Sequence, residues 1–154
     1  MAKRDTEGRQ PLWTEPTTGS VRVRPAAKAL VTAGDSVLLV REHHADGSPF
    51  WTLPGGGVCP GESLGRALER ELGEELLCRC VVGNVTTAFP YVHSDRRDSV
   101  SVYAVCYCWL LSPPKPARSE GVTAVRWGRP GALPEPTLPQ VRSVVSEAVG
   151  THDE

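Results

Sequence analysis

Residues 53 to 78 read LPGGGVCPGESLGRALERELGEELLC, and the two halves of this stretch obey different rules. The first half holds Pro54, Gly55, Gly56, Gly57, Pro60 and Gly61. Helix cannot propagate there, because proline lacks the N–H and glycine loses too much conformational freedom. Beyond Gly61 the pattern changes. Ser63 can cap a first turn, and Leu64, Leu68, Leu72 and Leu76 fall four apart on one stripe, as a buried helix face requires. The spacing predicts a helix over residues 63 to 77, entered through a glycine-rich turn.

The polar side of that helix carries Glu71, Glu74 and Glu75. At roughly 100° of rotation per residue the three carboxylates share an arc about 100° wide, mostly to one side of the leucine stripe. Like charges three and four apart destabilise a helix, so the patch is either an ordinary solvated face or is compensated by a cation. Magnesium prefers carboxylate oxygens and keeps waters and substrate phosphates as its other ligands, which suits an open acidic patch better than a closed cage. A polyphosphate is the substrate such an ion implies.

Residues 56 to 78 resemble the signature of the Nudix hydrolases: a glycine, five residues, a glutamate, seven residues, Arg-Glu, an aliphatic, any residue, Glu-Glu, any residue, a glycine and an aliphatic. Gly56, Glu62, Arg70, Glu71, Leu72, Glu74 and Glu75 fill the matching positions, and Cys78 fills the last apolar one. Leu77 stands where the family has glycine; the expectation is that it extends the helix by one residue. The resemblance implies an α+β fold, an α/β/α sandwich with a mixed β-sheet. It implies a pyrophosphohydrolase that uses Mg2+, with Mn2+ as a substitute, and water as the nucleophile. The substrate would be a nucleoside diphosphate linked to another moiety, with a nucleoside triphosphate favoured as in the MutT-like branch. ADP-ribose or a nucleotide sugar is the competing substrate, and a catalytically silent nucleotide-binding regulator is the reading of another class. None of the charged positions is lost, which favours an enzyme.

By the same resemblance Glu71, Glu74 and Glu75 are metal ligands, joined by the carbonyl of Gly55. Arg70 orients a glutamate, while Gly56 and Glu62 support the loop and helix; Glu62 also suits the positive end of the helix dipole. A carboxylate must accept the proton of the attacking water. Glu120, seven residues before Trp127, resembles a loop glutamate of the MutT-like branch, and Glu74 is its rival as base. Arg41 matches a MutT arginine that meets substrate phosphates, with a plain surface arginine as the alternative.

Outward from the box, VRVRPAAKALVTA and SVLLVRE flank the turn pair Gly34-Asp35 and read as a β-hairpin. Residues 50 to 53 form a brief extended segment. Residues 79 to 89 and 99 to 111, rich in Val, Thr, Tyr and Cys, predict two antiparallel strands joined by the polar turn HSDRRD, read as solvated. Then come a Pro-rich loop, the strand VTAVRW, a second loop and an amphipathic helix, TLPQVRSVVSEAVG. The domain organisation predicted is a polar tail over 1–20, one domain over 21–150 and a short tail over 151–154.

The chain has 154 residues, about one domain's worth, with 40% hydrophobic and 23% charged residues, so it can bury a core. A net charge of −1 supplies no basic field for duplex nucleic acid or anionic membrane. No stretch is long and apolar enough for a membrane span, no signal-peptide core is evident, and a cytoplasmic monomer or homodimer is expected. The five cysteines are read as free thiols; the single-residue spacers of Cys78-x-Cys80 and Cys106-x-Cys108 are short for a zinc knuckle. Trp51, Phe89, Tyr91 and Tyr103 have rings that can stack on a base, though aromatic residues in strands are more often core.

Overall fold

A computed structural model describes residues 17–18, 21–92 and 98–150. Most of the expected tail over 1–20, the tail over 151–154 and turn residues 93–97 lie outside the described residues. The strands are β1 (Thr17–Thr18), β2 (Val21–Leu30), β3 (Thr32–Ala33), β4 (Ser36–His43), β5 (Pro49–Thr52), β6 (Gly55–Gly57), β7 (Cys80–Val92), β8 (Ser99–Leu110) and β9 (Ala124–Gly128). The helices are α1 (Leu64–Leu76) and α2 (Pro139–Gly150), with single 3-10 turns at Arg118–Glu120 and Pro130–Ala132.

Two sheets form. In the first, mixed sheet β1, β2, β8 and β7 lie in that order; β2 runs parallel to β8, and β6 pairs antiparallel with β2. In the second, β3, β4 and β5 lie in order, with β9 antiparallel to β4. The expected hairpin is therefore only a stub. Thr32 and Ala33 pair with Val37 and Ser36, but the strand breaks at Val31 and its main body joins the other sheet. The alternating apolar residues of β2 satisfy either partner, so the pattern could not distinguish them.

Helices cover both faces. Leu68, Leu72 and Leu76 of α1 are fully buried against Ala27, Ala29, Leu38, Val40, Cys106 and Cys108. Val141, Val144, Val145 and Ala148 of α2 pack with Leu30, Val37, Leu39, Phe89 and Val105. Neighbours along β4 thus enter opposite cores, which explains the unbroken apolar run Val37 to Val40. Each buried leucine contributes about 2–3 kcal/mol, so the leucine stripe alone fixes α1 firmly. Cys78, Cys80, Cys106 and Cys108 lie in the α1 core as free thiols, while Cys59 is exposed.

Two further expectations change. The glycine turn is not all turn, because Gly55, Gly56 and Gly57 pair with Lys28, Ala27 and Ala26 as strand β6. Leu77 does not lengthen α1. It takes the left-handed conformation, φ 52° and ψ 37°, and stops the helix as a glycine would.

Candidate active site

Ser63 accepts from the N–H of Arg66 at 3.1 Å and starts α1, as its place before the leucine stripe predicts. Strand β6 arrives against the side of this helix. A Cβ at Gly56 would stand 2.6–2.8 Å from the carboxylate atoms of Glu71, and one at Gly55 would run into the carbonyl of Ala27. Only glycine lets the backbone approach so closely. The Gly55 N–H donates to Glu75 Oε1 at 3.1 Å. Gly55, Gly56, Glu71 and Glu75 therefore converge at one spot.

Arg70 ties this spot together. Its Nε and Nη2 donate to Glu62 Oε2 and Oε1 at 2.8 and 3.0 Å, a two-pronged pair. Further donations reach Gly57 O at 3.0 Å, Glu71 Oε2 at 3.1 Å and Glu74 Oε1 at 3.4 Å. Glu62 also accepts from the Cys59 N–H at 2.8 Å, so loop and helix are clasped through one glutamate. The Arg70 bonds, with that of Cys59, pull the Glu62 carboxyl down to about 2.

The three box carboxylates differ in surroundings. Glu74 is the open one, its side chain 46% exposed against 14% for Glu71. Glu75 is buried, and burial pushes its carboxyl up to about 9; Lys28 opposes the shift, while Glu42 and Glu71 add to it. A buried carboxylate held by one backbone N–H is short of positive charge, which is the donor chemistry a divalent cation satisfies. Glu71, Glu74 and Glu75 supply carboxylate oxygens, the donor type such an ion prefers. Among the described residues no three acidic, histidine or cysteine side chains are gathered as a ready-made cage, and Arg70 engages Glu71 and Glu74 instead.

The other expected residues stand apart from the clasp. Arg41 on β4 donates from Nε to Thr123 Oγ1 at 2.9 Å and lies 5.8 Å from the Trp51 ring centroid. Glu120 is exposed on the 3-10 turn Arg118–Glu120. That turn is tethered to the end of α1 by the Ala117 N–H, which donates to the carbonyl of Glu75 at 2.9 Å. No hydrogen bond or ion pair joins the Glu120 side chain to the box carboxylates among the described residues.

Lys28, the register partner of Gly55, lines a cavity of about 160 Å³ with Glu42, Phe50, Thr52, Phe89 and Tyr103 among others. Sequence reasoning missed Lys28 and Thr52. The signal for Lys28 was present: a lone lysine inside the apolar run PAAKALV, on a strand whose two faces both enter cores. Of the four aromatic residues considered for stacking, Phe89, Tyr91 and Tyr103 line the cavity, whereas Trp51 lies under Arg41.

The NUDIX domain family model matches residues 22–148. Solved structures agree in fold. The MutT protein from Methanosarcina mazei Go1 is 20% identical, with a TM-score of 0.70, over 89% of this chain and 99% of that one. A MutT NUDIX hydrolase from Burkholderia pseudomallei is 23% identical, with a TM-score of 0.68, over 80% and 96%. An ADP-ribose pyrophosphatase from Streptococcus suis 89-1591 is 22% identical, with a TM-score of 0.57, over 81% and 90%. No curated protein matches the sequence. With its glycine strand, clasped helix and two-sided core, the chain belongs to the Nudix hydrolases, pyrophosphohydrolases that act on phosphoanhydrides.

Proposed function

We propose that this protein hydrolyses a nucleoside triphosphate to the monophosphate and pyrophosphate in a magnesium-dependent reaction, with Mn2+ able to substitute. The observation that supports this most is the convergence of Gly55, Gly56, Glu71 and Glu75 beside a ring-lined cavity. A bound divalent cation would neutralise phosphate charge and lower the pKa of the attacking water. Glu71, Glu74, Glu75 and the Gly55 carbonyl hold it in this reading. Arg70 keeps Glu71 and Glu74 oriented, and Glu62 with Gly56 fixes the loop against the helix. Arg41, on β4 between β5 and β9, supplies a cation for the phosphates.

Glu74 is assigned as the base. It is the most open box carboxylate, it neighbours Glu71 and Glu75, and only one long bond from Arg70 restrains it. Glu120→Gln is expected to leave kcat within about twofold, whereas Glu74→Gln lowers it by about 10²–10⁴. The reverse pattern moves the base to Glu120.

The deciding assay incubates the protein with Mg2+ and nucleoside triphosphates, ADP-ribose and nucleotide sugars, and identifies the products. Release of pyrophosphate from a triphosphate is the expected result. Turnover confined to ADP-ribose or a nucleotide sugar replaces the substrate, and tight binding of one member with no turnover of any makes the protein a regulator. No helix among the described residues is long and apolar enough to cross a membrane.

A further inference from the structure

Two polar side chains in the cavity lack a hydrogen-bond partner among the described residues. Lys28 is 4% exposed and Thr52 1% exposed. Among the described residues the Thr52 Oγ1 has no hydrogen-bond partner. The Lys28 ammonium lies 4.8 Å from the centroid of the Tyr103 ring, and among the described residues no hydrogen bond or ion pair reaches it. Burying an unpaired hydroxyl is costly, and an ammonium that meets a ring face keeps donors available for an anion. Both line the same cavity.

Position gives these groups a task. Lys28 is the register partner of Gly55, the residue whose N–H holds Glu75, so it stands between the carboxylate clasp and the cavity. Across the cavity Phe50 stacks on His44 at 4.2 Å, and Phe89 and Tyr91 lie 5.4 and 6.5 Å from Tyr103, centroid to centroid. Its volume of about 160 Å³ is close to the roughly 150 Å³ that encloses a benzene ring, so it takes one ring of a ligand rather than a whole nucleotide.

Resting on the nucleotide reading above, we propose that Lys28 and Thr52 form an anion subsite between the carboxylate clasp and the ring cavity. It holds the phosphoryl group bonded to the nucleoside. Lys28 supplies a charged donor and Thr52 a hydroxyl that can donate to a second phosphate oxygen. One ring of the base is thereby set in the cavity and the remaining phosphates at the clasp. A lysine that served only to neutralise Glu42 and Glu75 would leave the Thr52 hydroxyl unexplained.

The test is calorimetric binding, with Mg2+ present, of uridine and adenosine monophosphates and of the two nucleosides to wild type, Lys28→Met, Lys28→Arg and Thr52→Val. Lys28→Met is expected to weaken monophosphate binding by about tenfold or more while nucleoside binding stays within about twofold, and Lys28→Arg to recover part of the loss. Thr52→Val is expected to raise the melting temperature, since an unbonded hydroxyl is removed, and yet to weaken monophosphate binding severalfold. A structural role alone would not move these two in opposite directions. Equal losses for nucleoside and monophosphate, or no loss for either, overturn the subsite; should Lys28→Met fail to fold, unchanged monophosphate affinity in Thr52→Val overturns it. Lysine-dependent monophosphate binding by a protein that turns over no triphosphate refutes the triphosphate reading and leaves the subsite standing. Triphosphate turnover with an unaltered KM in Lys28→Met does the opposite.

Discussion

Leu77 carries a cost that the rest of the box avoids. Its left-handed backbone, φ 52°, is the conformation glycine adopts freely, and the residue is 60% exposed, so little packing offsets the strain. Leu77→Gly is expected to stabilise the protein by about 0.5–1 kcal/mol, the relief of strain less the extra freedom of glycine in the unfolded chain. Thermal unfolding reads this as a rise of roughly 1–4 °C. A fall in melting temperature would show that the leucine side chain packs to advantage. Glu75 is the opposite case, a buried acid whose surroundings destabilise its charge and which the proposed reading makes a metal ligand. Glu75→Gln keeps the shape and the bond from Gly55 while removing a charge, so kcat is expected to drop by about 10²-fold or more with the fold retained. Circular dichroism beside steady-state rates checks both halves.

At the scale of elements, the clasp between the loop over residues 57–62 and α1 depends on Glu62. The carboxyl is held well below its ordinary value by Arg70 and Cys59, so the native state favours its ionised form. The linkage sign follows: stability from this group is complete above the unfolded pKa, near 4.5, and drains away as pH falls towards about 2. Glu62→Gln is expected to cost about 1–2 kcal/mol at pH 7, with the gap to wild type closing between about pH 5 and pH 2. Denaturant unfolding at several pH values measures that convergence. A gap independent of pH would assign the loss to shape rather than charge.

For the molecule as a whole, the buried acid and the expected cation are linked. Glu75 in the metal-free protein has its carboxyl pushed up to about 9, so the folded state retains a proton that the unfolded chain gives up near pH 4.5. Metal-free stability should therefore decline as pH rises from about 4.5 to 9, and Glu75→Gln should flatten the decline. Magnesium at about a hundredfold over its Kd adds about 2.7 kcal/mol by mass action, a rise of roughly 5–10 °C. The rise should grow with pH across the same range, because less of the site must lose a proton to bind. Melting curves with EDTA and with Mg2+, from pH 5 to 9, test both statements.

Local rules reached a long way in this chain. The cap at Ser63, the leucine stripe and the spacing of Gly56, Glu62, Arg70, Glu71, Glu74 and Glu75 are properties of one short segment, and a segment's periodicity reports its own helix and its own acidic face. The strands of β7 and β8 were legible for the same reason. The partners of β2 were not, because alternation says which residues face a core and not which strand lies alongside. The hairpin read from Gly34-Asp35 shrank to Thr32 and Ala33 once β8 took the rest. Leu77 also escaped, since only the packing of the chain that follows α1 forces a leucine into a glycine's conformation. Sequence by itself determined the Nudix box, because its glycine strand, loop and helix are consecutive pieces of one short segment. Tertiary structure alone decided that Lys28 and Thr52, from different sheets, share one cavity beside that box, because their meeting depends on how the two sheets pack and on no spacing along the chain.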